Sequence, residues 1–516
     1  MSEHIWSPQI SRRSLLRGGA AAAAVAAGLP PASGTTRRPA EMGPGTGSAN
    51  VRVSHDRYGV HVEPSVAANP RHPRQLLAAC QVSPTANPRF IATYLSFDAG
   101  ATWRRGGLPQ VPPGAPTNSD DVTVAFDSQG RGYLCATSDA THTNRGVYVW
   151  RTDDGGRSFS APVTLVAGQY CDHPWLAVGA GQTPPERNVY VVWAAGHGSA
   201  LGFTRSTDGG KSFEAPRTIL ADDGTSLTSA APAIAAGPHG LVCAVCDRVT
   251  HITSSGDIVS QVVAVCSTDG GHSFAAPLPL GPESQVISLP GGVQPNGSPT
   301  AAVAPHSDTL YAAFTRHHPG ATHSDIMVTA SHDGGRTWDQ ARPATPANGV
   351  TYFQPNLAVD QAGRVAISAF ALASGRVNEV LLISRPRELH FRPPLRVTTT
   401  PFNPHSPTAG GKHGAWWIGD YQGITTSAGA FHLVWNDTRT GKLDLFAATV
   451  RPLTNPDTYA APFPKRVAAA GPRVVGCLTG WEGCLTLVCQ PASHRCQGWG
   501  AGRNATKLRL NGGRHR

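Results

Sequence analysis

One eight-residue pattern recurs along this chain and constrains its fold more than any other feature. It first reads Ser96-Phe97-Asp98-Ala99-Gly100-Ala101-Thr102-Trp103, and it returns at 152–159, 206–213, 267–274 and 331–338. The shared form is Ser/Thr-x-Asp-x-Gly-x-Ser/Thr-aromatic. A worn copy spans 384–391, where Pro386 and Glu388 replace the Asp and the Gly. Successive starts are 53 to 64 residues apart. The chemistry of the box is local. Asp and Ser/Thr side chains bond nearby backbone amides in a turn, Gly supplies a positive φ, and the aromatic residue buries itself at the start of the next strand. The box therefore reads as a hairpin staple, and its aspartates as structural.

A second pattern precedes each box by 26 to 32 residues. It is an apolar strand in register at Ala67, Ala125, Ala177, Ala235, Ala302, Ala358 and, more loosely, Thr425. A further strand follows each one, as in Val189-Tyr190-Val191-Val192-Trp193. Each unit thus reads strand, strand, strand, box, strand. Repeats of about 40–60 residues with four strands are the pattern of propeller blades. The expected class is all-β, a β-propeller of four-stranded blades. Seven anchors favour seven blades, and the count is six if one unit is consumed in closing the ring. The last unit shows no fourth strand after Leu443–Ala447, a role that Val51-Arg52-Val53-Ser54 could fill.

Composition and charge narrow the function. The 516 residues are 40% hydrophobic, enough for a large core. The net charge of +10 is misleading. Residues 39–464 hold 29 basic and 31 acidic side chains, and the excess positive charge sits at the two ends. The body lacks the cationic surface that nucleic-acid binding requires.

Residues 1–45 read as a leader and linker. Arg12-Arg13 precede a weakly apolar run over 18–29 and the small residues Ala32-Ser33-Gly34, which is an export pattern. The paired arginines resemble the twin-arginine signal. The run is too short to span a bilayer, so a secreted or cell-envelope protein without a stable membrane span is expected. Residues 50–455 carry the repeats. Residues 466–516 form a Cys-containing segment read as a poorly ordered tail, whose four Cys allow three disulfide connectivities. Cys80, Cys135, Cys243, Cys246 and Cys266 lie in apolar runs and read as small core residues. Cys171 has no assigned role.

The boxes and their spacing over roughly 50–455 resemble the sialidase superfamily, also called BNR or Asp-box repeat proteins. That family includes hydrolases and non-enzymatic propellers, so the fold leaves function open. Its sialidases hold the sugar carboxylate with three arginines by charge-assisted bonds. They use an Asp acid/base and a Tyr nucleophile assisted by a Glu, an exception to the two-carboxylate rule. The resemblance implies that site residues come from the loops leading into blades and those joining second and third strands. Arg248, Arg316 and Arg439 are the candidate triad, Asp121 the acid/base, Tyr421 the nucleophile and Trp417 a stacking platform beside Trp416. Asp120, Asp172, His173, Tyr352, Gly419 and Asp420 share these loops. The family's Arg-Ile-Pro element is absent. No Glu stands near Tyr421 in sequence, and Glu63 reaches it only through ring closure.

Two functions follow. The first is an exported exo-α-sialidase-like glycoside hydrolase that removes terminal sialic acid from glycoconjugates. The alternative is a non-catalytic Asp-box propeller binding glycan or protein, and a hydrolase of neutral glucans comes third. A monomer without cofactor is expected. No G-x-S-x-G elbow, H-E-x-x-H helix or phosphate loop is present. His317, His318, His323 and Asp325 lack diagnostic metal spacing. The aspartates 121, 172 and 420 offer Ca²⁺-type oxygens, but no metal is assigned.

Overall fold

In a computed structural model, the described residues are 49–452, apart from 85–88, 111–117, 142–143, 181–186, 222–226, 229–230, 255–257, 286–288, 295–297, 306, 318–322 and 406–415, together with three strands beyond 472. The leader lies outside them. The chain divides into two units, 1–452 and 453–516.

The first unit is a seven-bladed β-propeller of antiparallel sheets. The strands nearest the axis are Val60–Ala68, Asn118–Phe126, Cys171–Ala180, Ala233–Ala236, Thr300–Val303, Thr351–Val359 and Gly423–Ser427. Each contains its sequence anchor. Six blades have four strands, and blade 4 is split, with short extra pairings at Leu227–Thr228 and Ser284–Gln285. Hydrophobic clusters fill the wedges between successive blades. Leu77 and Ala79 of blade 1, for example, meet Val122, Leu134 and Trp150 of blade 2.

The box staples form as the sequence implies. In the first, Ser96 Oγ donates to Asp98 Oδ1 at 2.8 Å and accepts the Gly100 amide at 2.8 Å. Asp98 also takes the Thr102 amide and hydroxyl. Burial opposes ionisation of Asp208, yet the hydroxyl and amide of Ser212 outweigh it and hold its carboxyl down at about 2. The worn copy keeps its turn without the Asp, because Ser384 bridges Phe391 and its hydroxyl takes the Val365 amide.

The ring closes through Val51–Arg52, which pairs antiparallel with Phe446–Ala447 and completes blade 7. The Val53 amide donates to the Leu445 carbonyl at 2.8 Å, and Ser54 Oγ to Asp444 Oδ1 at 2.8 Å. Asn50 Nδ2 reaches the Val397 carbonyl of blade 6.

Two cysteines depart from expectation. Cys80, Cys135 and Cys246 are buried thiols, but Cys243 and Cys266 are joined in a disulfide. They lie directly opposite across the two central strands of blade 4, with Cα atoms 4.0 Å apart. Apolar runs announce burial, whereas cross-strand register decides which buried thiols meet. The second unit holds three antiparallel strands, Arg473–Gly480, Gly483–Gln490 and Arg495–Gly500, with Cys489 opposite Cys496.

A chain lacking residues 1–54 loses the closing strand and the buried Val53, whose burial alone contributes about 2 kcal/mol. Its thermal midpoint should fall by about 10 °C or more relative to a chain beginning at residue 46. Calorimetry checks this.

Candidate functional site

The inner strands share a deformation. Glu63, Asp121, His173, Ala231 and Gln354 have positive φ of 58°, 45°, 46°, 79° and 57°. Each stands four residues before its anchor alanine. Register shifts mark β-bulges there in blades 1, 2, 3 and 6. A non-Gly residue in this region costs on the order of 1–3 kcal/mol and persists only where its surroundings over-determine it. A bulge also re-aims a side chain. Here the bulges serve the axial mouth, on the face opposite the boxes.

There, blades 1, 2, 3 and 7 build one buried polar cluster. The His173 amide donates to Asp121 Oδ2 at 3.2 Å, and His173 Nδ1 lies 3.1 Å from Asp121 Oδ1. His173 Nε2 faces Asp420 Oδ2 at 3.3 Å. Trp417 Nε1 donates to Asp420 Oδ1 at 2.7 Å. Arg89 Nη1 bonds both oxygens of Asp120 at 2.8 Å, and its guanidinium sits 5.9 Å from the Trp417 ring centroid. Tyr170 Oη donates to Asp172 Oδ2 at 3.0 Å. Glu63 is buried, and its carboxyl pKa is pushed well up by burial, then by the charges of Asp121 and Asp420. Gly419, at φ 90°, lets the chain pass close by, since a Cβ there would stand 3.1 Å from the Glu63 nitrogen.

Tyr421 lies edge-on to Trp175 and His173. It is buried, and its hydroxyl donates to the Val122 carbonyl at 3.1 Å. Burial, then Glu63 and Asp121, push its pKa well up, so the phenol stays neutral.

The structure thus brings Asp121, Tyr421, Trp417, Asp172, His173 and Asp420 together, with Glu63 delivered by ring closure. Of the three candidate arginines, Arg439 takes another position. Arg439 Nε donates to Asp437 Oδ2 at 2.9 Å and its Nη1 to Asn50 Oδ1 at 3.0 Å, and it covers the Phe446 ring. It clamps the closing strand. Arg248 lies in strand Val242–Ile252, opposite Gln261 and Thr228, and Arg316 lies opposite Asp325. Trp416 packs its ring 4.9 Å from His405. Tyr352 belongs to the wedge between blades 5 and 6. Of the four-residue histidine set, His318 lies outside the described residues, and Asp325 accepts from Thr345. Arg89 escaped sequence reasoning because the arginines were sought after second strands, whereas it stands one residue before a third strand, Phe90–Ser96.

A second buried group adjoins blades 6 and 7. Glu379 contacts Gln422, and burial, then Asp437, push its carboxyl pKa well up. Both Glu379 oxygens and Gln422 Oε1 lack donors among the described residues. Gln422 Nε2 donates to the Gln354 carbonyl.

The fold defines an all-β propeller of seven blades. No protein-family model matches the chain, and no curated protein matches it. Solved structures do. A protein of unknown function from Dyadobacter fermentans is 14% identical, covering 78% of this chain and 97% of that one, with TM-score 0.44. An α-L-arabinanase of Penicillium chrysogenum complexed with arabinobiose is 15% identical over 66% and 99%, with TM-score 0.45. A Hadza microbial sialidase is 16% identical over 62% and 65%, with TM-score 0.39. Similarity at this level says nothing about what this chain binds or cleaves.

An acid held neutral by the fold costs stability as pH rises above its unfolded value, because the unfolded chain then releases a proton that the folded chain keeps. Glu379→Gln should match the parent in thermal midpoint near pH 4. It should exceed the parent increasingly toward pH 8, and melting curves across that range check it.

Proposed function

We propose that the protein is a glycan-binding propeller whose axial mouth seats a neutral sugar. The observation that carries this reading is the mutual saturation of the groups a hydrolase would use. Both oxygens of Asp121 face His173, both oxygens of Asp120 face Arg89, and the Tyr421 hydroxyl is spent on a carbonyl. A general acid or nucleophile must reach substrate. Recognition asks less: an oriented indole and fixed polar groups are enough. Trp417, half-buried and held by Asp420, supplies the platform.

Electrostatics favours a neutral ligand. Asp120, Asp121, Asp172 and Asp420 outnumber Arg89 at the mouth, and a sialic acid carboxylate would be desolvated against them. The second reading is the sialidase-type hydrolase, with Asp121 as acid/base and Tyr421 as nucleophile. It is supported by the nearness of Asp121 and Glu63 to Tyr421, although their charges hold the phenol neutral.

A glycan array followed by calorimetric titration tests the proposal. Saturable binding is expected, weakened about tenfold or more by Trp417→Ala, with no release of a fluorogenic group from neutral glycosides or from a sialoside. Turnover that disappears in both Asp121→Asn and Tyr421→Phe would instead establish the hydrolase.

We also infer that the leader exports the protein to the cell envelope or beyond. Replacing Arg12 and Arg13 together by Lys should leave the full-length precursor in the cytoplasm, as fractionation and immunoblotting would show. Export at the parental level would refute a twin-arginine route.

A further inference from the structure

We propose that the box face carries a further ligand site, between blades 5 and 6, which takes a compact carboxylate or phosphate anion. The worn box creates it. In intact boxes the fourth and fifth positions are left-handed glycines, as in Gly209-Gly210 and Gly270-Gly271. The fifth presses on the preceding blade. A Cβ on Gly210 would stand 2.8 Å from the Tyr133 ring, and one on Gly271 2.7 Å from the Phe203 ring. In the worn copy these two positions are Arg387 and Glu388. Arg387 keeps the left-handed backbone, at φ 59°, and Glu388 does not. Without the glycine the turn cannot close on its neighbour in the same way. A cavity of about 250 Å³ remains, bordered by Tyr311, His332, Asp339 and Arg342 of blade 5 and by Arg387 and Glu388 of blade 6.

The blade symmetry identifies the groups left without partners. Tyr311 stands opposite the anchor Ala302, as Tyr133 stands opposite Ala125. The Tyr133 hydroxyl meets two acceptors, Asp127 Oδ2 at 3.2 Å and the box carbonyl of Gly209 at 3.3 Å. In blade 5, Ala304 takes the place of Asp127, and the Tyr311 hydroxyl has no partner among the described residues. Arg342 opens the outer strand of blade 5 opposite Val328, and Arg217 opens that of blade 3 opposite Phe203. Both partners lie three residues before a box. Arg217 donates to the Gly271 and His272 carbonyls of the next turn. Arg342 and Arg387 make no side-chain hydrogen bond or ion pair among the described residues. Two guanidiniums and a phenol thus border space that box carbonyls fill at the equivalent junctions.

The missing acceptors define the ligand. A guanidinium fork takes carboxylate or phosphate oxygens through parallel charge-assisted bonds, and the phenol donates one more. The volume, below that of pockets for drug-sized molecules, restricts the ligand to a small one. Asp339 faces His332 Nε2 at 3.4 Å, whereas Glu388 has no ion pair among the described residues and opposes an anion. The box face lies opposite the axial mouth, so this site stands apart from the glycan reading.

The test titrates the mature chain calorimetrically with sodium succinate and with inorganic phosphate, at constant ionic strength. One saturable site is expected, and the tighter of the two anions identifies the source of the oxyanion. Arg342→Gln should weaken binding roughly tenfold or more. Glu388→Gln should tighten it about threefold. Arg217→Gln, at the equivalent but occupied position, should lower the thermal midpoint and leave anion binding unchanged. Failure of both anions to saturate overturns the proposal, as does an Arg342→Gln variant that binds as the parent does. Should Arg342→Gln not fold, Glu388→Gln decides: binding unchanged or weaker there overturns the site.

Discussion

The pairing of Val51–Arg52 with Phe446–Ala447 is the contact on which the rest of this molecule depends. A propeller left open has two exposed blade faces and a sheet edge with unpaired amides. Here the first described strand becomes the last strand of the final blade, so the two ends of a nearly 400-residue array are held by one sheet. The weld is polar as well as apolar. Arg52 and Ser54 converge on Asp444, and His61 bonds the Leu443 carbonyl through its amide at 2.8 Å. Arg439, tied to Asp437 and Asn50, belongs to this weld. Closure also brings Glu63 of blade 1 beside Asp420 of blade 7.

The axial mouth is built from strain imposed at equivalent positions. Five inner strands turn left-handed four residues before the anchor, and the side chains there are Glu, Asp, His, Ala and Gln. One backbone device, repeated by the blade symmetry, thus carries different chemistry in each blade. The polar residues fall in blades 1, 2, 3 and 6, and Asp420 with Trp417 joins them from blade 7. Blade 4 contributes only Ala231, so the mouth is chemically lopsided although the ring is regular.

Much of this was legible before any coordinates. The boxes and anchors located each blade, the lack of a fourth strand in the last unit pointed to residues 51–54, and the loops leading into the blades yielded Asp121, Asp172, His173, Asp420, Trp417 and Tyr421. The arginines were harder. Arg248, Arg316 and Arg439 share a sequence position after second strands, but that position does not specify a direction. Arg89, which is at the mouth, precedes a third strand. The Cys243–Cys266 bond was equally hidden, because register between strands is not written in either strand alone.

The sequence by itself determined the repeat: periodic turn chemistry and strand alternation are local properties, readable within eight or ten residues. The tertiary structure decided which blade faces which, and therefore which acids share one buried volume. Glu63 and Asp420 are more than 350 residues apart in the chain, and only the closed ring makes one raise the pKa of the other. Coulombic coupling in a desolvated cluster depends on distances of a few ångströms, and those distances are set by how the blades meet.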